Sequence, residues 1–287
     1  MANTISSYAD AQIMKALLTK DFSIIGRGFE DDVITSIKAG AFLAAQNLDR
    51  VSLPAVKEVH SYAFQDAALT SIDLPWEELE SIGFGAFMRA TGYPQNLVFS
   101  KLTALSNGVF AGTSDNKNTQ LRTVSLPLWT GSSFSEGNGF STSNTGIFAY
   151  CTALTSISAP ELQSVPNQMC YYCAALEEVV FPKASSVASG AFGYCTNLKK
   201  IDLGGAISKI NSAFMNYSNN VTALILRGVT SVPTSTSSAL SGSPVAKGTC
   251  YVYVPKELEA TFKVASVWSN YASMIRAIED YPDICGS

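Results

Sequence analysis

Cys170 and Cys173, separated by two residues, are the cysteines whose spacing could support redox or metal chemistry. A C-x-x-C pair can supply a dithiol for disulfide exchange or half of the four ligands of a zinc site. Cys173 also belongs to a series with Cys151 and Cys195, in which the spacing is 22 residues. Thiols that recur with a repeat are expected to stack as small buried side chains. This structural interpretation explains both the C-x-x-C spacing and the spacing of 22 residues. We therefore predict free thiols and no metal ion at these positions.

The single histidine, His60, is the side chain best suited to act as a general base near neutral pH. It aligns with unlike residues in the other repeats described below, which predicts an exposed turn position. No nucleophile elbow, P-loop or dinucleotide-binding motif follows a predicted strand. Asp115, Asn116 and Asn118 resemble the start of a calcium loop, but the later glycine and glutamate of an EF-hand are missing. The sequence therefore predicts no catalytic residue, no cofactor and no metal site.

Tyr150, Tyr172 and Tyr194 form a second series with a spacing of 22 residues, and each tyrosine directly precedes a cysteine of the first series. If the cysteines point inward, the tyrosine rings should form a ladder on or near the convex surface. Such a ladder could stack on sugars or anchor a protein partner. The alternative, that the rings only cover the edges of the repeats, is the interpretation that we favour from the sequence.

Four further aromatic residues are candidates for a binding surface. Trp76 follows a proline that ends a predicted strand, and Trp129 begins a long polar segment. Phe134 and Phe140 are aromatic exceptions within that segment. These side chains either pin the segment to the fold or face a partner, and we favour pinning for Trp129.

The elements that position these residues come from a repeat of about 22 residues, which is typical of leucine-rich solenoids. One anchor is a strand-like L-x-x-I-x-L-P, as in LTSIDLP and LTSISAP, and the other is a small residue followed by Phe, as in GAF. Each coil thus offers one short strand, a proline that ends it, a second extended stretch and a Phe-led return. Stacked coils can bury the apolar face that a single coil leaves exposed. The predicted fold is a repeat solenoid of the α/β class with parallel strands.

The strand residues that alternate with the apolar ones are expected to face outward along the concave side. These residues are Ser52, Asp73, Ser125, Ser158, Val180, Asp202 and Ile225. They mix small, acidic and apolar types, which suits a protein or glycan surface and indicates no substrate. We include Asp73 and Asp202 among the candidate binding residues.

Helical caps are predicted at both ends of the solenoid, because stacked repeats need closed ends. Residues 1–33 form the N-terminal cap, with helix-spaced apolar residues, and residues 34–248 form the repeats. Residues 249–287 form a strand followed by two short helices, the second N-capped by Ser266 or Ser269.

One coil is longer than the others, because 38 residues separate Phe110 from Phe148. The excess lies at 113–119 and 129–146, which are rich in Gly, Ser, Asn and Thr. Both segments are therefore predicted to be loops that leave the solenoid.

Composition limits the classes of partner. The 287 residues are 47% hydrophobic and 15% charged, and the net charge is -4, so we expect a packed core and no nucleic-acid partner. No apolar stretch approaches the roughly 18 residues of a membrane span. Asp10 and Lys15 interrupt the position of an export signal. We expect a cytoplasmic or virion-associated location, unless the N-terminus is truncated or export follows another route.

The segments GIFAYCTALTSISAP and GAFGYCTNLKKIDLG contain almost the whole pattern AF-x-x-C-T-x-L-x-x-I-x-L-P. This pattern resembles the BspA-like, treponemal-type leucine-rich repeat, over residues 34–281. The ending CYVYVP, followed by WSNYA and IRAI, is similar to the closing module of many bacterial and prophage-encoded members. The resemblance implies a solenoid that binds something, often on a cell or virion surface, with no family-wide catalytic residues. The missing export signal and the break at 113–146 depart from that pattern.

Two functions agree with these observations. The first is a non-enzymatic binding module that presents the solenoid surface to a protein or carbohydrate ligand, as in adhesion. The second is a structural subunit of a phage virion or surface assembly, in which the solenoid is a spacer. Neither function involves nucleic acid or insertion into a membrane.

Overall fold

A computed structural model describes residues 24–46, 48–132, 145–235 and 238–286. The chain winds into a solenoid of about 10 turns, with coils of about 23 residues. The first row of strands contains β1 (Ile24–Glu30), β3 (Arg50–Ser52), β5 (Ser71–Asp73), β7 (Asn96–Val98), β9 (Thr123–Ser125), β10 (Ser156–Ser158), β12 (Glu178–Phe181), β14 (Lys200–Leu203), β16 (Ala223–Leu226), β18 (Tyr251–Val254) and β19 (Ile275–Ala277). The second row contains β2 (Ser36–Ile37), β4 (Glu58–Val59), β6 (Ser81–Ile82), β8 (Ala104–Leu105), β11 (Ser164–Val165), β13 (Ser186–Val187), β15 (Lys209–Ile210) and β17 (Thr234–Ser235).

Neighbouring strands are parallel, and their register places equivalent residues of successive coils side by side. In the first row Val51 pairs with Ile72, and Ile201 pairs with Leu224. The second row repeats this arrangement, with Val59 beside Ile82. The predicted leucine-rich repeat solenoid with parallel strands is thus confirmed.

The core is built from columns of side chains that occupy equivalent positions in successive coils. Phe42, Phe64, Phe87 and Phe110 stack in order, with ring centroids 4.9, 5.2 and 5.4 Å apart and ring planes within 10° of parallel. These separations are close to the 4.7–4.9 Å between neighbouring strands. The Phe column predicted from the GAF anchors is therefore the buried centre of the coils.

A second inner column lies three residues after the Phe position in most coils. Its members are Ala45, Ala67, Ala90, Asn118, Cys151, Cys173, Cys195 and Ser218. From Cys151 onward, each side chain donates a hydrogen bond to the backbone oxygen at the Phe position of the preceding coil. Cys173 Sγ lies 3.1 Å from the backbone oxygen of Phe148. Cys195 Sγ lies 3.0 Å from the backbone oxygen of Cys170, which holds the Phe position of its coil. All six cysteines are free thiols, and the inner column explains the cysteine series as packing.

We expect Cys195→Ala to cost about 1 kcal/mol more unfolding free energy than Cys195→Ser, the usual net value of one hydrogen bond. Both changes remove the sulfur, but only serine keeps a donor. Ser218 shows that a hydroxyl fits, since its Oγ lies 2.5 Å from the oxygen of Phe192 in the preceding coil. Urea unfolding of both variants measures the difference. Equal unfolding free energies for the two variants would mean that the hydrogen bond adds no stability beyond that of packing.

The structure modifies the predicted loop at 113–119. Asn118 is buried at the cysteine position of its coil, and its Nδ2 donates to Tyr93 Oη and to the Phe110 oxygen, at 2.5 and 2.8 Å. It lies eight residues after Phe110, whereas Cys151 lies three after Phe148, so five extra residues, 113–117, leave the coil. Asn118 was wrongly assigned to the loop, because a polar side chain is not expected at an inner position of the coil.

The second insertion keeps its first residues in the coil. The backbone oxygens of Thr130 and Ser132 accept hydrogen bonds from Gln163 and Leu105, each 3.0 Å long, so they take the place of a second-row strand. Residues 133–144 of the predicted loop lie outside the described residues.

The C-terminal end differs from the prediction of two helices. Helix α1 (Lys256–Val264) is followed by a 3-10 segment, Trp268–Met274, and then by β19, so Ile275 lies in a strand and not on a helix face. Val267 precedes the 3-10 segment, and no side chain caps it. The pairing of Ile275 with Val252 extends the first row by one strand, which explains why the helical spacing stops there. A short helix, α2 (Pro282–Cys285), ends the described chain.

The predicted N-terminal helix lies outside the described residues, which begin with β1 inside the segment assigned to the cap. Strand β1 pairs with β3, with Phe29 beside Val51. The boundaries at residues 33 and 248 therefore remain predictions. Within the described ranges, no helix has the length and apolar character needed to cross a bilayer.

Candidate functional site

One surface position of the coil has an unusual backbone. It lies two residues after the Phe position in most coils, and its φ angles are positive. The residues are Ala44 (52°), Asp66 (57°), Arg89 (55°), Tyr150 (60°), Tyr172 (61°), Tyr194 (60°) and Tyr217 (58°). Left-handed backbone favours glycine and costs other residues about 1–2 kcal/mol. Side chains at this position are therefore retained against a local backbone cost.

The four tyrosines at this position form a continuous stack, here called the tyrosine ladder. The ring centroids of Tyr150 and Tyr172 are 4.8 Å apart, those of Tyr172 and Tyr194 4.3 Å, and those of Tyr194 and Tyr217 4.7 Å. The ladder predicted from the spacing therefore forms. Tyr217 was missed because its coil has one additional residue, which shifts it to a spacing of 23.

Tyr171 supports the ladder from the side. Its ring makes edge contacts with Tyr150, Tyr172 and Tyr194, at centroid distances of 6.0, 4.9 and 5.3 Å. A Cβ atom at Gly193 would lie 3.0 Å from the Tyr171 ring, so glycine makes room for this ring. The ladder is therefore a packed aromatic cluster and not a row of independent side chains.

The phenols of Tyr171 and Tyr194 remain neutral at physiological pH. Loss of solvent raises the pKa of Tyr171 to about 12, and repulsion from neighbouring phenolates contributes. The same two causes raise the pKa of Tyr194. Neutral phenols can both donate and accept hydrogen bonds.

The geometry of the ladder limits what it can bind. Inside the stack each ring face is covered by the next ring, so a sugar cannot stack there. The ring edges and hydroxyl groups remain available at the surface, where Tyr217 is 49% exposed. At the C-terminal end Lys247 Nζ lies 5.8 Å from the Tyr217 ring centroid.

The extra loop 113–117 leaves the solenoid beside the first ring of the ladder. The amide of Gly112 donates to the oxygen of Ala149, and the amide of Asn118 donates to that of Tyr150, at 2.8 and 3.0 Å. Thr113 shapes the loop, because its Oγ1 accepts from the amide of Asn116 at 3.0 Å. The loop and the ladder therefore form one continuous surface.

At the other end of the solenoid, the same backbone position carries an ion pair. Arg89 Nε and Nη2 each lie 2.6 Å from a carboxylate oxygen of Asp66. The hydrogen bonds from Arg89 hold the pKa of Asp66 below its ordinary value.

We expect Asp66→Asn to lower the unfolding free energy by at most about 1 kcal/mol at pH 7, because the pair is partly exposed. A lowered folded-state pKa gives stability that is present above the unfolded value, near 3.8, and is lost as the pH falls through the folded value. The difference between wild type and variant should therefore shrink below pH 3.8. Chemical unfolding at pH 7 and pH 3 measures it, and a constant difference would contradict the assignment.

The structure packs both candidate tryptophans against the solenoid. Trp129 is fully buried, so it is not part of a binding surface. It occupies the inner position that Leu162 fills in the next coil, four residues after the end of the strand, and its Nε1 donates to the Ser132 oxygen at 2.9 Å. Trp76 is half-buried and packs on Phe87, with centroids 5.2 Å apart. Pinning, the favoured alternative for Trp129, is thus the one observed.

The two aspartates of the candidate surface also differ from each other. Asp73 is exposed on the first row as predicted, and its carboxylate accepts from Ser52 Oγ at 3.0 Å. Asp202 is only 4% exposed, which corrects its assignment to the outer surface. Arg227 covers it, with Nη2 2.8 Å from Oδ2. Phe134 and Phe140 lie outside the described residues.

The remaining chemistry-bearing residues do not converge. His60 is half-buried at a turn, with Nε2 3.7 Å from Glu58 Oε2. In the part of the chain that the structure describes, no three His, Cys, Asp or Glu side chains are grouped closely enough to hold a metal ion. Burial raises the pKa of the thiols of Cys151, Cys173 and Cys195 well above the ordinary value, which disfavours the reactive thiolate.

One of the similar solved structures agrees with this fold. The structure of a leucine-rich repeat protein from Bacteroides ovatus is 18% identical, with a TM-score of 0.61 over 88% of this chain, and the chain covers 66% of that protein's length. The pneumococcal vaccine antigen PcpA is 13% identical, with a TM-score of 0.32 over 88% of this chain and 87% of the antigen. A leucine rich cell surface protein from Faecalibacterium prausnitzii is 14% identical, with a TM-score of 0.27 over 79% of this chain and 77% of that protein.

The search of curated proteins found no match. A family model described as the BspA type Leucine rich repeat region matches in six copies, over residues 28–127 and 130–243. These two ranges contain the Phe column, the inner cysteine column and the tyrosine ladder. The chain therefore belongs to the BspA-type leucine-rich repeat family.

Proposed function

We propose that this protein is a non-enzymatic binding module that recognises a protein partner through the tyrosine ladder and the adjoining loop 113–117. The observation that carries this proposal is the run of four stacked tyrosines, each held in left-handed backbone. Strain of this kind is concentrated at functional sites. Tyrosine is also among the residues that dominate the binding energy of protein interfaces.

A protein partner fits this surface better than a glycan. Sugar recognition by aromatic residues needs an open ring face, and neighbouring rings cover the inner faces of the ladder. Ring edges and phenolic hydroxyls suit a polypeptide, which offers both apolar side chains and backbone hydrogen-bonding groups. A packed ladder also loses little side-chain entropy on binding, because its rings are already ordered.

The proposal makes no use of catalytic chemistry. The inner thiols are buried, and burial keeps them protonated. Phe134 and Phe140 remain candidates for additional contacts from the insertion.

We expect the double variant Tyr172→Asn and Tyr194→Asn to lose binding while remaining folded. Asparagine tolerates left-handed backbone, so the variant should keep the coil while it removes the two central rings. The probe is a peptide selected from a random display library on the wild-type protein, and its dissociation constant is measured by calorimetry. Loss of two interface tyrosines should weaken binding at least about 30-fold, the equivalent of about 2 kcal/mol.

Ala44→Asn is the matched control, because it introduces the same residue at the same backbone position in a coil without the ladder. This control should bind the peptide as the wild type does. Thermal unfolding of both variants verifies that the coils remain stacked. Wild-type affinity in a folded Tyr172→Asn, Tyr194→Asn variant would contradict the proposal.

A further inference from the structure

The C-terminal segment forms a second surface feature, far along the chain from the ladder. Residues 278–286 fold back over the outer side of β16 and β18 and bury Ile225, Tyr253 and Cys285. A cleft of about 390 Å³ lies beside this segment. It is lined by Thr222, Ala223, Tyr251, Tyr253, Arg276, Tyr281 and Ile284. We call this site the C-terminal cleft. Its volume is within the range of small-molecule sites.

Arg276 gives the cleft a positive charge that, within the described part of the chain, forms no ion pair with a carboxylate. Its guanidinium carbon lies 4.6 Å from the Tyr251 ring centroid, and its Nη1 donates to the backbone oxygens of Ser273 and Ile275. Among the described residues, Arg50, Arg89 and Arg227 each form an ion pair with a carboxylate, whereas Arg122 and Arg276 form none. Its Nη2 and Nε atoms are therefore donors suited to an external anion.

Glu279 and Asp280, which precede Tyr281, are engaged elsewhere, whereas Asp283, between Tyr281 and Ile284, is exposed to solvent. The amide of Lys256 donates to Glu279 Oε2 at 3.0 Å, and Lys256 Nζ lies 2.8 Å from Asp280 Oδ1. These contacts tie both carboxylates to the start of α1. The positive charge of Arg276 therefore remains available to a ligand.

The rest of the cleft combines apolar rings with hydroxyl groups. Tyr251, Tyr281 and Ile284 are between 36% and 42% exposed, which is unusual for large apolar side chains. The ring of Tyr281 meets that of Tyr253 edge-on, with centroids 5.4 Å apart. Aromatic surface beside hydroxyl groups matches a sugar, which has apolar faces and polar edges.

A second depression, on the outer side of β10 and β12, shows the contrast. It is larger, about 540 Å³, and Glu177 and Glu178 line it. Both carboxylates are already paired, with Lys199 and Lys200, at 3.4 and 2.5 Å. Because these charges have partners within the protein, this depression indicates no ligand.

We propose that the C-terminal cleft binds a sugar acid of monosaccharide size. The carboxylate of the ligand pairs with Arg276, and the sugar ring packs against Tyr281 and Ile284. Charge complementarity selects an acidic ligand, and the small volume selects a single sugar unit. This site is independent of the tyrosine ladder and of the protein partner proposed for it.

Titration of the full chain with glucuronate tests this site, with glucose and acetate as comparison ligands. Chemical shifts of the Arg276 Nε-H group, resolved by nuclear magnetic resonance, report occupancy directly. We expect glucuronate to bind at least tenfold more tightly than glucose or acetate, because only glucuronate has both the carboxylate and the ring. Arg276→Gln should reduce glucuronate binding at least about tenfold, the effect of losing a charge-assisted hydrogen bond.

Arg122→Gln is the control, because Arg122 is an exposed arginine on the same row of strands, bonded to Gln95. It should leave glucuronate binding unchanged. Tyr281→Ser provides a second variant at an exposed position and should also weaken binding. The inference is overturned if glucuronate does not bind, if acetate or glucose binds equally well, or if neither Arg276→Gln nor Tyr281→Ser reduces binding.

Discussion

Phe192→Ala should lower the unfolding free energy by about 3–5 kcal/mol, the range for truncation of a buried phenylalanine. The Phe192 side chain is fully buried and packs on Phe181, with ring centroids 6.2 Å apart. Its backbone amide donates to the Phe214 oxygen of the following coil. The cavity would therefore open at the interface between coils, where a solenoid derives much of its stability.

Urea unfolding followed by circular dichroism measures this loss, and hydrogen exchange shows whether it spreads to both neighbouring coils. Val180→Ala is the control, since Val180 lies on the outer side of β12 and is 45% exposed. The control should change stability by less than about 0.5 kcal/mol. A Phe192→Ala variant as stable as that control would show that the Phe column is not the core.

Gly228→Ala should cost up to about 3 kcal/mol, because it forces two backbone segments apart. A Cβ atom at Gly228 would lie 2.1 Å from the oxygen of Gly204 and 2.6 Å from the carbonyl carbon of Gly205. Backbone atoms cannot rotate away as a flexible side chain can, so the coils themselves would have to separate. Glycine at this position therefore permits the close approach of successive coils.

Gly248→Ala is the matched control, because nothing lies within 4 Å of a Cβ atom there. Its φ of 74° still makes alanine unfavourable, so we expect a cost of about 1 kcal/mol from backbone strain alone. Thermal and urea unfolding of the two variants distinguish the cost of the close backbone contact from the cost of backbone strain. Equal losses would mean that the close approach at Gly228 is relieved without cost.

Most of the fold follows from the sequence because every inner position is repeated. A leucine, a phenylalanine or a small residue that returns every 22 residues must stack on its equivalent, so one coil predicts the next. The ladder follows from the same spacing. Its left-handed backbone does not, because tyrosine is not a residue type that indicates positive φ.

The errors arise where a contact joins segments that the repeat does not relate. Asp202 is buried because Arg227, from the following coil, pairs with it. Ile275 continues a sheet although its spacing is helical. Trp129 begins a polar insertion but still fills an inner position of its own coil. These placements depend on tertiary packing and have no local signal.

The most direct test of the account is a hydrogen-exchange footprint of the wild-type protein with its display-selected peptide. We expect protection at the backbone amides of residues 112–118, Tyr150, Tyr172 and Tyr194, and no change at the outer residues of the first strand row, such as Ser125. Protection along the outer side of that row, with none at the tyrosine ladder, would contradict the central claim that the ladder is the recognition surface.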